Sequence, residues 1–144
     1  MIPAIASRIP LVRRTKAPAL PLKERINHLT EQVIGAAIEV HRVLGPGLLE
    51  SAYEEAIAVE LALREIPFER QVLIPLVYKG RTVGEYRLDL LVADTVIVEL
   101  KSVERHDAVF EAQLLTYLRL TGKRVGLIIN FNNRLLTQGV KRLI

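Results

Sequence analysis

The stretch Val96-Ile97-Val98-Glu99-Leu100-Lys101 constrains this chain more than any other. Its consecutive apolar residues require cover on both faces of the strand they form, which predicts a central strand between two layers. Yet the strand ends in an acid and a base. Strand side chains alternate in direction. Glu99 and Lys101 therefore point one way, and Leu100 points into the opposite layer. Unpaired charge at the end of a buried strand is costly, so this pair asks for a chemical reason.

The preceding segment supplies a partner. Thr82 to Val92 alternates, with Val83, Leu88, Leu90 and Val92 set against Arg87 and Asp89. A three-residue turn through Ala93-Asp94-Thr95 places Asp89 opposite Glu99, with both side chains on one face. Two carboxylates and an ammonium on one side of a hairpin suit a hard divalent cation and a water. On a solvent-facing strand the same acid-x-Lys pattern would be an ordinary cross-strand ion pair. The apolar run around Glu99 argues against that reading.

The surrounding periodicity predicts an α/β domain. From His28 to about Val43, apolar residues Val33, Ala36, Ala37, Val40 and Leu44 recur at helical steps. Gly45-Pro46-Gly47 then breaks the chain. A second helix is expected from about Leu48 to Leu63, with Leu49, Ala52, Tyr53, Ala56, Val59, Ala62 and Leu63 as its apolar positions. Gln71 to Tyr78 reads as a strand that Pro75 confines to an edge or a bulge. A third helix spans roughly Asp107 to Leu120 and ends at Gly122. Val125 to Asn130 reads as a buried strand, parallel to its predecessor because a helix crosses over between them. Gly139 to Ile144 is too short to assign. Helix, helix, three strands, helix and strand make a mixed sheet flanked by helices.

Charge divides the chain. Of its 20 basic residues, six lie in residues 1–25, where Glu24 is the sole acid. Pro3, Pro10, Pro18 and Pro21 fall in the same stretch, which predicts a basic, flexible arm over residues 1–25 and one domain over 26–144. The domain itself is close to neutral. The absence of cysteine excludes disulfides and thiolate chemistry, and three histidines are too few to favour a His-rich metal site. A metal would then use carboxylates, which favours magnesium or manganese. No apolar run approaches the roughly 18 residues a membrane span needs, so no membrane contact and a cytoplasmic location are expected.

Other residues could support the hairpin. Glu50, Tyr53, Glu54 and Ile57 share one helix face, and Glu50 in a first turn also suits the helix dipole. Gln113 and Tyr117 are four apart on the late helix. His41 falls shortly before the Gly-Pro-Gly break, either as a hydrogen-bonded packing group or as a contact beside Glu50.

Gly47-Leu48-Leu49-Glu50-Ser51-Ala52-Tyr53 resembles the signature of the GxxExxY protein family. Ile38 to Gly47, Gln113 to Leu118 and Gly126 to Phe131 resemble that family too. The resemblance runs from about residue 28 to the last residue. It implies a PD-(D/E)XK nuclease-like core. By resemblance, Asp89 is the acid of the first motif, with Leu88 replacing its usual proline. Glu99 and Lys101 are the acid and lysine of the second. Glu50 resembles the helical glutamate that joins the metal site, and Gln113 and Tyr117 resemble a Gln-x-x-x-Tyr element. The expectation is a metal-dependent nuclease or phosphodiesterase acting on DNA or RNA. Glu50, Asp89, Glu99 and the Leu100 carbonyl would hold Mg2+ or Mn2+, with Tyr53, His41, Gln113 and Tyr117 in support. The rival is a noncatalytic nucleic-acid-binding or protein-assembly module of the same fold. The apolar edge from Leu73 to Val77 would suit a homodimer.

Overall fold

A computed structural model describes residues 20–144. The first 19 residues of the expected arm lie outside the described residues. Its last four are helical, because helix α1 spans Leu22–Leu44 and starts six residues before His28. Pro21 precedes the helix, which suits a residue with no amide to contribute. Ile26, Thr30, Val33, Ala36, Ala37 and Val40 form its buried stripe. The small Ala36–Ala37 pair lets the next helix pack closely.

Gly45 and Gly47 both take positive φ, 73° and 97°, and turn the chain through the Gly-Pro-Gly joint. Helix α2 follows at Glu50–Leu63. Its buried face is Tyr53, Ile57 and Leu61, not the broader stripe expected from the spacing of its apolar residues. Leu49, Val59 and Leu63 are exposed. The helix is rotated so that the Glu50-Tyr53-Glu54-Ile57 face turns towards the sheet, and that rotation positions the candidate site.

Five strands form one sheet in sequence order: β1 (Phe68–Tyr78), β2 (Arg81–Val92), β3 (Val96–Lys101), β4 (Val125–Asn130) and β5 (Val140–Leu143). β1 is an edge strand, as Pro75 required, with a register shift at Leu76/Val77. β3 and β4 run parallel and the other pairs antiparallel. Helix α3 (Ala108–Thr121) makes the crossover between β3 and β4. Asp107 caps it by accepting from the Val109 amide at 2.9 Å, worth about 1 kcal/mol. The unassigned tail becomes a 3-10 turn (Leu136–Gly139) leading into β5.

The core has two halves, one on each face of the sheet. Val96, Val98 and Leu100 pack with Leu90, Val92, Leu127 and Ile129 under α1 and α2. Ile97, Ile128 and Leu91 pack under Leu114, Tyr117 and Leu118 of α3. Burying each of these β3 side chains contributes about 1.5–3 kcal/mol. Strand alternation therefore places Glu99 and Lys101 on the α3 face. Two expectations fail along β2: Leu88 packs under α3, on the face opposite Leu90 and Val92, and at the far end Val83 is 58% exposed. The β1–β2 hairpin runs on past β3 there, beyond the layers that would cover it. Among the described residues no helix is long and apolar enough to cross a membrane.

Candidate functional site

The β2–β3 ladder pairs Leu90 with Val98, Leu91 with Ile97 and Val92 with Val96, around the expected Ala93-Asp94-Thr95 turn. Continued by one step, this register sets Asp89 opposite Glu99. The ladder stops there because carboxylates replace carbonyls as acceptors. The Asp89 amide donates to Glu99 Oε2 at 3.0 Å, and the Leu100 amide donates to Asp89 Oδ2 at 2.8 Å. The two side chains thus hold the strands apart while satisfying their backbone. In these bonds each carboxylate uses one oxygen.

Burial dominates the electrostatics. Glu99 is 5% exposed. Its pKa is pushed up to about 8, first by loss of solvent and next by the facing charge of Asp89. Burial also raises Asp89, against the stabilising bond from the Leu100 amide. Two neighbouring acids that both resist ionisation form a site that favours a compensating cation.

Lys101 lies on the same face. Its ammonium is 4.5 Å from the centre of the Phe110 ring, a cation–π contact that holds the charge against α3. Its field lowers the pKa of both carboxyls, although burial outweighs it. Phe110 carries no chemistry of its own, and nothing in the sequence marks it. Gln113 and Tyr117 share the face expected of them and line a cleft of about 500 Å³ with Tyr86, Phe110 and Thr116. The Tyr117 hydroxyl is raised to about 12 by burial and then by Glu99 and Asp89, so it stays a neutral donor.

Tyr53 belongs to the scaffold. Its ring is fully buried and stacks on Phe131 with centroids 4.3 Å apart. Its hydroxyl donates to the Gly45 carbonyl at 2.5 Å and accepts from the Leu48 amide at 3.1 Å. It pins the joint that starts α2. Ser102 does the same from beyond β3, donating to the Leu48 carbonyl at 2.5 Å. His41 Nε2 donates to the Asn133 carbonyl at 2.7 Å, in the segment after β4.

Glu50 is exposed at the start of α2. Its charge reaches both Asp89 and Glu99. Even so, among the described residues no three His, Cys, Asp or Glu side chains converge as a ready ligand cluster. The structure thus brings Asp89 and Glu99 together and leaves Glu50 at a distance. Glu54, one turn further along α2, acts on Asp89 more strongly than Glu50 does. The sequence places it on the correct face without setting it apart.

A paired Asp and Glu across splayed strands, a lysine two residues on and a crossover helix facing them agree with the comparison to known families. Residues 27–143 match the PD-(D/E)XK nuclease superfamily. No curated protein and no solved structure matches the chain. The family match spans nearly all of the described fold, site included, and the chain belongs to the PD-(D/E)XK nuclease superfamily.

Proposed function

We propose that this protein is a divalent-cation-dependent nuclease, with Asp89, Glu99 and Lys101 as its reacting centre. The observation that carries the reading is the buried carboxylate pair, facing across the end of the β2–β3 ladder with a lysine on the same face. The donor set fits a hard cation. Asp89 and Glu99 offer carboxylate oxygens. The Leu100 carbonyl, on the strand residue between Glu99 and Lys101, is the backbone oxygen nearest in sequence to both. These oxygens favour Mg2+ or Mn2+. Water and phosphate would complete the coordination, and the charge of Glu50 adds to the field. When bound, the cation supplies Lewis-acid polarisation of a phosphate oxygen and a more acidic water.

The chain's own residues do the remainder. Asp89 and Glu99 are held rigid by the two amides, so little reorganisation is needed as charge develops. Lys101 stabilises the negative charge that builds on the phosphate, or orients the attacking water, from its seat on Phe110. Tyr117 and Gln113 line the adjacent cleft with neutral hydrogen-bonding groups that suit a nucleotide. The GxxExxY signature at Gly47–Tyr53 supports the reading through the joint it builds ahead of Glu50.

Calorimetric titration of Mg2+ and Mn2+ into wild type and Asp89→Ala tests the site, followed by cleavage of labelled single- and double-stranded DNA and RNA. Wild type should take up the cation and cut, and EDTA should stop it. Cleavage by folded Asp89→Ala at the wild-type rate would sink the assignment. A second reading, a nucleic-acid-binding or assembly module without catalysis, draws on the near-neutral charge beyond residue 25. It predicts binding or assembly with no cutting under any metal. Steep weakening of binding with salt would mark phosphate contact.

A further inference from the structure

The β1–β2 hairpin overhangs the site. β2 pairs with β3 only from Leu90 to Val92, so among the described residues the stretch before Asp89 has β1 as its one strand neighbour. Tyr86 sits on that overhang, opposite Ile74 of β1. Ile74 packs under α3, and directly opposed residues of an antiparallel pair share a face. Tyr86 therefore points to α3, where its ring meets that of Tyr117 with centroids 5.8 Å apart. The two planes are tilted by 55°, so neither ring covers the other face to face. Tyr86 keeps 36% of its surface exposed, whereas Tyr53, flat against Phe131, is fully buried.

The overhang and α3 are the two walls of the cleft of about 500 Å³, and no charged residue lines it. It offers the rings of Tyr86 and Phe110, the Gln113 amide and the Tyr117 hydroxyl. Among the described residues no hydrogen bond engages that amide or the Tyr86 and Tyr117 hydroxyls, and no buried side-chain polar atom lacks a partner. These groups are therefore open to solvent and to a ligand. Charge begins where the cleft ends. The Phe110 ring also seats the Lys101 ammonium at 4.5 Å, and the Tyr117 hydroxyl lies within the field of Glu99 and Asp89.

A nucleotide has the same division, between a charged phosphate and a flat, uncharged, hydrogen-bonding base. A phosphate finds no counter-charge inside the cleft, whereas a base gains stacking and edge hydrogen bonds there. The volume lies within the roughly 300–1,000 Å³ of small-ligand pockets, which suits one nucleotide and not a duplex. A base that stays paired and stacked in a duplex cannot enter such a pocket.

We propose that this cleft is a base subsite, in which one unpaired nucleobase stacks on Tyr86 while its phosphate lies over Asp89, Glu99 and Lys101, so that the substrate is a strand unpaired at the point of cleavage. This rests on the nuclease reading of that centre and adds to it the class of substrate. Tyr86 is then the residue that sets specificity.

The test reads binding by fluorescence anisotropy in EDTA, where no metal-dependent cutting occurs. The probes are a short thymidine strand and an abasic strand of equal length, which keeps every phosphate and has no base. Wild type should hold the thymidine strand about 5–150-fold more tightly. Tyr86→Ala should lose most of that advantage yet match wild type on the abasic strand. Tyr86→Phe keeps the ring and should keep the advantage. Gln113→Ala, an exposed change that leaves the rings in place, should lose about 2–10-fold on the thymidine strand alone. In Mg2+, wild type should cut the thymidine strand about tenfold faster or more than a blunt duplex. Equal wild-type affinity for the two strands overturns the proposal, as does a Tyr86→Ala variant that weakens both alike or neither. If wild type cuts nothing under any metal, the nuclease reading fails, and the anisotropy still decides whether the cleft holds a base. If it cuts strand and duplex alike, the cleft proposal fails and the nuclease reading stands.

Discussion

Replacing Glu99 with glutamine should stabilise the metal-free protein at alkaline pH. Glu99 titrates at about 8 in the fold against 4.5 for the ordinary group. Below pH 4.5 the carboxyl is protonated in both folded and unfolded chains, and its contribution to stability is fully present. As pH rises towards 8, the unfolded chain releases a proton that the folded chain retains, so the folded state loses ground. The slope approaches about 1.4 kcal/mol per pH unit. Across the window it sums to about 5 kcal/mol as an upper bound, and charge sharing with Asp89 lowers that to about 2–4 kcal/mol. Glutamine keeps an oxygen to accept from the Asp89 amide and never ionises. Urea unfolding in EDTA should therefore show Glu99→Gln more stable than wild type by about 2–4 kcal/mol at pH 8, with the gap closing near pH 4.5. Saturating Mg2+ should reverse the order, since only wild type gains binding energy. A pH-independent difference, or a variant less stable than wild type at pH 8, would refute the account of Glu99 as a buried, charge-opposed acid.

Three further outcomes are expected. Lys101→Ala should keep the fold and its cation uptake but cut about 10²–10³-fold more slowly, read by single-turnover cleavage, because it removes charge stabilisation alone. Tyr53→Phe should keep the stack on Phe131 but strand the Leu48 amide and free the Gly45 carbonyl, costing about 1–3 kcal/mol with an unchanged urea slope. Gly139→Ala should cost more than the usual ~1–3 kcal/mol of overpacking, by thermal melting, because the added Cβ overlaps the Asn130 carbonyl and a backbone must move.

Alternation and punctuation are what this sequence makes legible. Val96 to Lys101 announces a central strand by being apolar on both faces, and the turn length at Ala93-Asp94-Thr95 is enough to set Asp89 against Glu99. Pro75 correctly marks an edge. The rotation of α2 is not legible, because Leu49, Val59 and Leu63 are as apolar as the residues that are buried. The hydrogen bond from Gln71 to Glu54 is hidden for a different reason. It accompanies a left-handed Gln71, and nothing about glutamine announces a positive φ. His41 shows the same limit: its partner is the Asn133 carbonyl, a backbone group that any residue type would supply.

The early end of the β2–β3 ladder also divides the sheet mechanically. Three register pairs join those strands, Leu90–Val98, Leu91–Ile97 and Val92–Val96. β1 and β2 stay paired along nearly their whole length. The hairpin is therefore joined to the β3–β4–β5 block by fewer strand pairs than any other neighbours in the sheet, and the two meet at a narrow seam. Asp89 and Glu99 lie across that seam from one another, so a cation held between them would act as a rivet. Metal loading would then set how far the molecule unfolds as one body, and the metal-free hairpin would be the first part to open.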